Sequence, residues 1–356
     1  MSRIKAIKSW TVDLGNTKPY TIAFKTVDEV LNTFVSITLE NGVTGIGAAN
    51  PSEYVTGETL SMTRQTLNDE NLAGMIGKDI RTFRQMNAEF TKKFPACPAA
   101  RAAVDIALHD AFSQFLGVPL VQYLGQKIFS LPTSNTIGIK SVQETLLEAE
   151  DYGKRGFTVL KVKLGRDLEE DVERIVKLRE KFGSKFVIRI DANQGYTAAQ
   201  AVEFYQRTES LNVELIEQPL PADDIAGMRS LPATIRAIIA ADESLLTPED
   251  ALELAESPPA AGIFNIKLMK CGGITEAQKI ASIAEAKNID LFWGCNDESI
   301  VSITAGLHVA FASANTRYID LDGSLDLARD VVRGGFILED GVMYCSAKPG
   351  LGVELV

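Results

Sequence analysis

Seven residues punctuate the middle of this chain at intervals of 25 to 28 residues: Lys163, Asp191, Glu217, Asp242, Lys267, Trp293 and Asp320. Each lies at or near the end of a short apolar run, and amphipathic helical stretches separate the runs. The stretch from Asp167 to Phe182 is typical, with Leu168, Val172, Ile175 and Leu178 on one face. The runs are Thr133–Ile139, Phe157–Lys163, Phe186–Asp191, Val213–Glu217, Ala237–Asp242, Ile263–Lys267, Asp290–Gly294 and Arg317–Asp322. A β-loop-α-loop unit of this length, repeated eight times, is the pattern of a (β/α)8 barrel. In that fold the C-terminal strand ends form the face where chemistry is done. The second to sixth strands all end in a charged residue, so function is expected there.

The flanking segments have a different rhythm. Residues 4–50 read as antiparallel strands, with Phe34–Leu39 and Val43–Ala48 joined by a hairpin at Asn41-Gly42. Thr59–Leu72 and Phe83–Phe94 read as helices, and Pro98 opens an alanine-rich helix that ends at Gly117. Beyond Asp322 the alternation stops, and Phe336–Tyr344 reads as a hairpin about Asp340-Gly341. The expected division is an α+β capping domain over 1–125, a barrel over 126–325, and a segment 326–356 that returns to the cap.

Bulk composition excludes several classes. With 46% hydrophobic residues in 356, a large core can be buried. A formal net charge of −11 argues against nucleic acid or an anionic membrane as partner. Cys97, Cys271, Cys295 and Cys345 show no Cys-x-x-Cys spacing and read as free thiols in a reducing compartment. The N-terminus carries no signal-like apolar run, and no stretch is apolar for long enough to span a bilayer. A cytoplasmic location is the expectation. Self-association is expected by analogy with other barrels alone.

Three consecutive strands end in Asp191, Glu217 and Asp242. A lone strand-end acid often caps the helix that follows, but three side by side repel one another, and a hard divalent cation is their natural complement. Oxygen-only ligands favour Mg²⁺. Zinc is disfavoured, since His109 and His308 both fall in helical stretches and read as structural. Lys161 and Lys163 share one face of their strand. Lys163 on strand two and Lys267 on strand six stand four strands apart in an eight-strand ring, on opposite walls. That suits proton removal from one face of a carbon acid and return on the other. Mg²⁺ and Lys161 would balance the charge of the resulting enediolate, and depressed pKa values are expected for Lys163 and Lys267. For Lys267 a structural ion pair with Asp242 is a second, compatible reading. Asp320 and Asp322 share a face of strand eight and suit a cationic substrate group; the alternative is a bridge to Arg317 or Arg329. A Schiff-base aldolase using Lys163 or Lys267 is a competing reading that leaves the carboxylates without a task.

Taken together, Lys161-Val162-Lys163, Asp191-Ala192-Asn193, Glu217-Gln218-Pro219, Asp242-Glu243-Ser244 and Lys267-Leu268-Met269-Lys270 resemble the enolase superfamily, muconate-lactonizing subgroup. Asp320-Leu321-Asp322 resembles the dipeptide epimerases, of the L-Ala-D/L-Glu epimerase type. The resemblance covers essentially the whole chain. It implies an α/β fold, a modified TIM barrel of (β/α)7β type with an α+β capping domain. It also implies an isomerase acting on dipeptides at the α-carbon of the C-terminal residue. Asp191, Glu217 and Asp242 would then hold Mg²⁺, Lys163 and Lys267 would be the acid/base pair, and Lys161 would stabilise the enediolate. Asp320 and Asp322 would bind the N-terminal ammonium. Thr136 is a further substrate-binding candidate. Cap loops Thr17–Thr26 and Asn50–Thr59 would close over the substrate, with Lys25 placed to meet a substrate carboxylate. Asp297, in Cys295-Asn296-Asp297-Glu298-Ser299, adds negative charge together with Glu53, resembling the branch that takes cationic dipeptides. L-Ala-D/L-Glu dipeptides, hydrophobic dipeptides, and cycloisomerase or o-succinylbenzoate synthase chemistry are the alternatives.

Overall fold

The structure is a computed structural model describing residues 1–17, 20–22, 25–27 and 29–356, with side chains described outside 18–28. Lys25 therefore lies outside the residues whose side chains are described. Among the described residues no helix is long and apolar enough to cross a membrane.

Eight parallel strands lie side by side in chain order: Asn135–Ile137, Val159–Lys163, Val187–Asp191, Val213–Glu217, Ile239–Ala241, Ile263–Ile266, Asp290–Trp293 and Thr316–Ile319. The ring closes where Thr133 bridges Ile319 and Ser134 N donates to Ile319 O at 3.2 Å. Alternation along each strand sorts the side chains. Leu160, Val162, Ile188 and Ile190 are buried in the large core cluster, while Lys161, Lys163, Arg189 and Asp191 alternate with them. Below the charged layer, Leu215, Ala240, Ile263 and Phe292 form a separate small apolar cluster with Tyr318 against it. The Arg189 guanidinium lies over Phe292 at 5.5 Å and over Tyr318 at 5.1 Å. This plug fills the barrel, so polar side chains gather at its C-terminal mouth.

Three strands end earlier than their polar residues suggested; the fifth stops at Ala241, one residue before Asp242. The eighth stops at Ile319, so Asp320 and Asp322 lie past its end. The chain turns there because Leu321 N donates to Thr133 Oγ1 and Leu325 N to Asp322 O. The sixth stops at Ile266, and Lys267 is the N-cap of a short helix, Leu268–Cys271.

The cap is a three-stranded antiparallel sheet, Ile4–Asp13, Leu31–Leu39 and Thr44–Ala49, with helix Pro98–Leu116 laid across it. Close approach explains why that helix is alanine-rich. A Cβ on Gly47 would sit 1.9 Å from Ala103 O, and one on Gly45 would sit 2.3 Å from Ala111 N. The expected helix over Thr59–Leu72 is two helices, Leu60–Thr66 and Asp69–Ala73, because Asn68 caps the second through Asn71 N at 2.8 Å.

Cap and barrel are keyed together beside strand six. Arg101 Nη2 donates to Cys271 O at 3.0 Å, and Thr275 donates through its hydroxyl and its backbone N to the Asp105 carboxylate. Ser299 N donates to Asn32 Oδ1 at 3.2 Å. The C-terminal segment touches both units. Strands Phe336–Glu339 and Val342–Cys345 pair as a hairpin, and the latter also pairs with Leu131–Pro132 ahead of the first barrel strand. Leu351 N donates to Asp110 Oδ1 of the cap helix at 2.8 Å.

Candidate active site

Lys163 and Asp191 are register partners on strands two and three, and Asp191 and Glu217 on strands three and four. Asp242 directly follows strand five. Glycines permit the tight turns between them: a Cβ on Gly165 would meet Ala192 O at 2.1 Å, and one on Gly195 would meet Gly165 O at the same distance. Asn193, at φ 44°, donates its N–H to Asp191 Oδ1 at 2.9 Å.

Four ammonium groups supply the counter-charge to these acids. Lys161 Nζ is 2.9 Å from Glu217 Oε2, 2.7 Å from Asp320 Oδ2 and 3.5 Å from Asp191 Oδ2. Lys163 Nζ donates to Asp191 Oδ2 at 2.6 Å, and Lys267 Nζ to Asp242 Oδ2 at 2.7 Å. Lys270 Nζ donates to the other Asp242 oxygen, Oδ1. Asp191 and Glu217 thus meet at one nitrogen, while Asp242 is held by two others. Strand order sets Lys163 and Lys267 four strands apart, on opposite sides of the ring.

The electrostatics depart from one expectation. Burial alone would push the Lys267 ammonium down, but Asp242 and then Glu217 outweigh it and hold its pKa above the ordinary lysine value. Asp242 is held well below the usual carboxylate range despite its burial, because Lys267 and Lys270 lie against it. Glu217 goes the other way: burial, then the charge of Asp191, pushes it up to about 8.

The residues fit a hard cation by chemistry. The donor set is all oxygen, on three adjacent strands. Glu217 Oε2 is buried and makes no aligned hydrogen bond, although Lys161 is close to it. Among the described residues no three acids, histidines or cysteines already form a metal cage; the lysine ammonium groups stand between the carboxylates. His109 and His308 are fully buried core side chains, as read from the sequence, with His308 Nδ1 accepting from Val121 N at 2.9 Å.

Asp320 and Asp322 are not equivalent. Asp320 is buried and occupied, accepting from Lys161 and from Ser134 Oγ at 2.6 Å. Asp322 is half-buried and accepts from Thr136 N at 2.8 Å; burial, then Asp320, pushes it up to about 7. Neither pairs with the arginines considered above: Arg317 donates to Asp290 and Arg329 to Asp13 O. Thr136 thus holds Asp322 in place. Asp297 is half-buried in the loop after strand seven, and Glu53 is exposed on the cap helix Glu53–Thr56. Asn50 of the cap reaches that same barrel-mouth loop, its carbonyl lying 3.5 Å from Asn296 Nδ2.

Sequence reading missed four supporting residues. Asn265 Nδ2 donates to Glu217 Oε1 at 2.9 Å, and Gln218 Oε1 accepts from Asp242 N at 2.9 Å. Ser134 supports Asp320, and Lys270 holds Asp242. Strand periodicity could have found Asn265, two residues before Lys267 on the same face; nothing in the sequence singles out Ser134.

Residues 144–356 match the family model described as enolase C-terminal domain-like, and residues 6–125 match the mandelate racemase/muconate lactonizing enzyme N-terminal domain. The chain is 52% identical to the L-Lys-D/L-Arg epimerase of Desulforapulum autotrophicum, over 99% of this chain and 100% of that protein. It is also 52% identical to the L-Lys-D/L-Arg epimerase of Methylococcus capsulatus, over 99% of each chain. A crystal structure of the dipeptide epimerase from Methylococcus capsulatus complexed with Mg and L-Arg-D-Lys superposes with a TM-score of 0.97 at 51% identity, covering 99% of both chains. With both domain models matched and whole-chain relatives at this identity, the chain belongs to the enolase superfamily, in its mandelate racemase/muconate lactonizing enzyme branch.

Proposed function

We propose that this chain is a Mg²⁺-dependent dipeptide epimerase that inverts the α-carbon of the C-terminal residue and prefers dipeptides with cationic side chains. The observation that carries the reading is the placement of Lys163 and Lys267 on opposite walls, with Asp191, Glu217 and Asp242 on the arc between them. The L-Lys-D/L-Arg epimerases at 52% identity support the choice of substrate.

Asp191, Glu217 and Asp242 would hold the magnesium ion, which supplies positive charge against that developing on the substrate carboxylate. One lysine takes the α-hydrogen as a proton, so that a C–H bond breaks and an N–H bond forms. The other lysine gives a proton to the opposite face, restoring the C–H bond with inverted configuration. Lys161, fixed by Asp320 and Glu217 and buried at 3% exposure, faces the enediolate with a permanent positive charge. Lys267, beside Asp242, is placed to exchange a proton with its own face of the α-carbon. Asp322 is the better-exposed receiver for the substrate ammonium, since Asp320 is already paired with Lys161. Asp297 at the mouth adds negative charge that favours a cationic side chain. The four cysteines are free thiols, which supports a reducing, cytoplasmic setting.

Incubating a dipeptide library in D₂O and reading mass tests the proposal. Lys- and Arg-containing dipeptides should gain one deuterium at the C-terminal α-carbon, and chelation should abolish the gain. Uptake confined to Ala-Glu dipeptides would overturn the cationic preference. No uptake by any dipeptide would overturn the reaction.

A further inference from the structure

Lys270 is buried and has no part in the proton transfers above. It sits one helical turn past Lys267, in Leu268–Cys271, with 4% of its surface exposed. All three of its contacts face one place. Its ammonium donates to Asp242 Oδ1, to Asp242 O at 2.5 Å and to Asn265 O at 3.1 Å. It therefore grips the Asp242 carboxylate by one oxygen and the main chain at the ends of strands five and six. The other carboxylate oxygen, Oδ2, is thereby turned toward Lys267 Nζ at 2.7 Å. The helix is itself anchored from the cap through Arg101 on Cys271 O. On the far wall Asp191 receives Lys163 at 2.6 Å, and the second lysine near it, Lys161, stands off at 3.5 Å and is shared with Glu217 and Asp320.

We infer that Lys270 is a positioning residue that acts unequally on the two proton transfers: it fixes Asp242 against Lys267, whereas what Asp242 does for the metal is common to both faces. Removing a charge-assisted contact while leaving its buried partner disturbs that partner first. The asymmetry separates this role from general support of the fold, which would slow both faces alike. The inference rests on the two-lysine epimerase reading.

The test follows α-hydrogen exchange without inversion in D₂O, from L-Lys-L-Arg and from L-Lys-D-Arg, in full-length Lys270→Met with Mg²⁺. The Lys267→Ala variant identifies which epimer presents its hydrogen to Lys267. In Lys270→Met at saturating Mg²⁺, exchange from that epimer should fall by about 10-fold or more beyond any fall in exchange from the other. Epimerisation should fall in both directions, as equilibrium requires. Lys270→Gln, which keeps a donor and loses the charge, gives the same reading if the methionine variant does not fold. A crystal structure of the variant should show Asp242 Oδ2 turned away from Lys267. Equal loss from both epimers, loss from neither, or an unmoved Asp242 would overturn the inference. Parent enzyme that exchanges neither epimer would instead remove the epimerase reading on which it stands.

Discussion

Glu217 shows how a residue's surroundings reveal its task. Its carboxylate is pushed up to about 8 by burial and by Asp191, and its Oε2 makes no aligned hydrogen bond. It is well placed as a ligand awaiting a divalent cation. Glu217→Gln keeps the shape and weakens the ligand. In thermal unfolding, saturating Mg²⁺ should raise the parent's midpoint, since an ion at 100 times its dissociation constant adds about 2.7 kcal/mol. The variant should lose most of that rise; an undiminished rise would place the ion elsewhere. Residues of this kind were legible because chemistry at a strand end is repeated at a fixed spacing. Their supports were less so. Ser134 and Gln218 hold Asp320 and Asp242 through contacts between strands that only the closed ring brings together. The ion pair that holds the Lys267 proton affinity up when no metal is bound is a contact of the same kind. Neighbouring cations and burial are legible in the sequence; the strength of the contact with Asp242 is not.

At the level of elements, alternation did most of the predicting. All eight barrel strands lie where apolar runs with polar ends placed them, and helix Pro98–Leu116 matches its proline start and glycine stop. Boundaries failed where side chains from distant segments intervene, as at Ile319, after which Thr133 redirects the chain. The cap sheet depends on backbone contact with its helix, which no hydrophobic pattern encodes. Gly47→Ala would drive a methyl group to 1.9 Å from Ala103 O. It should lower stability in urea by more than about 3 kcal/mol, above the ordinary overpacking range, whereas Gly42→Ala, open to space at φ 90°, should cost about 1–2 kcal/mol through backbone conformation alone. Equal losses at the two sites would contradict the packing account.

The whole molecule carries a pH dependence separate from catalysis. Burial holds His308 down to about 3, from an ordinary value of 6.5. Between those values the unfolded chain binds a proton that the folded chain refuses, so stability falls as pH falls, by about 1.4 kcal/mol per unit. Asp110 opposes this: burial raises it to about 6, so between about 4 and 6 the folded chain binds the extra proton and gains stability on acidification. Urea midpoints at about pH 7.5 and about pH 5 should show the His308→Asn variant losing about 2 kcal/mol less than the parent on acidification. Identical losses would acquit His308. The overall architecture was legible because a barrel is a repeat, and its active face follows from the fold. Substrate choice was legible only as far as the negative residues at the mouth, since it depends on loops that the repeat does not govern. The central claim is that two lysines work on opposite faces of one carbon. It is tested most directly by following deuterium into both epimers of Lys-Arg with Lys163→Ala and Lys267→Ala. Each variant should lose epimerisation by about 10²–10⁴-fold and keep exchange from one epimer only, the opposite one in each case. Exchange surviving from the same epimer in both variants would contradict the account.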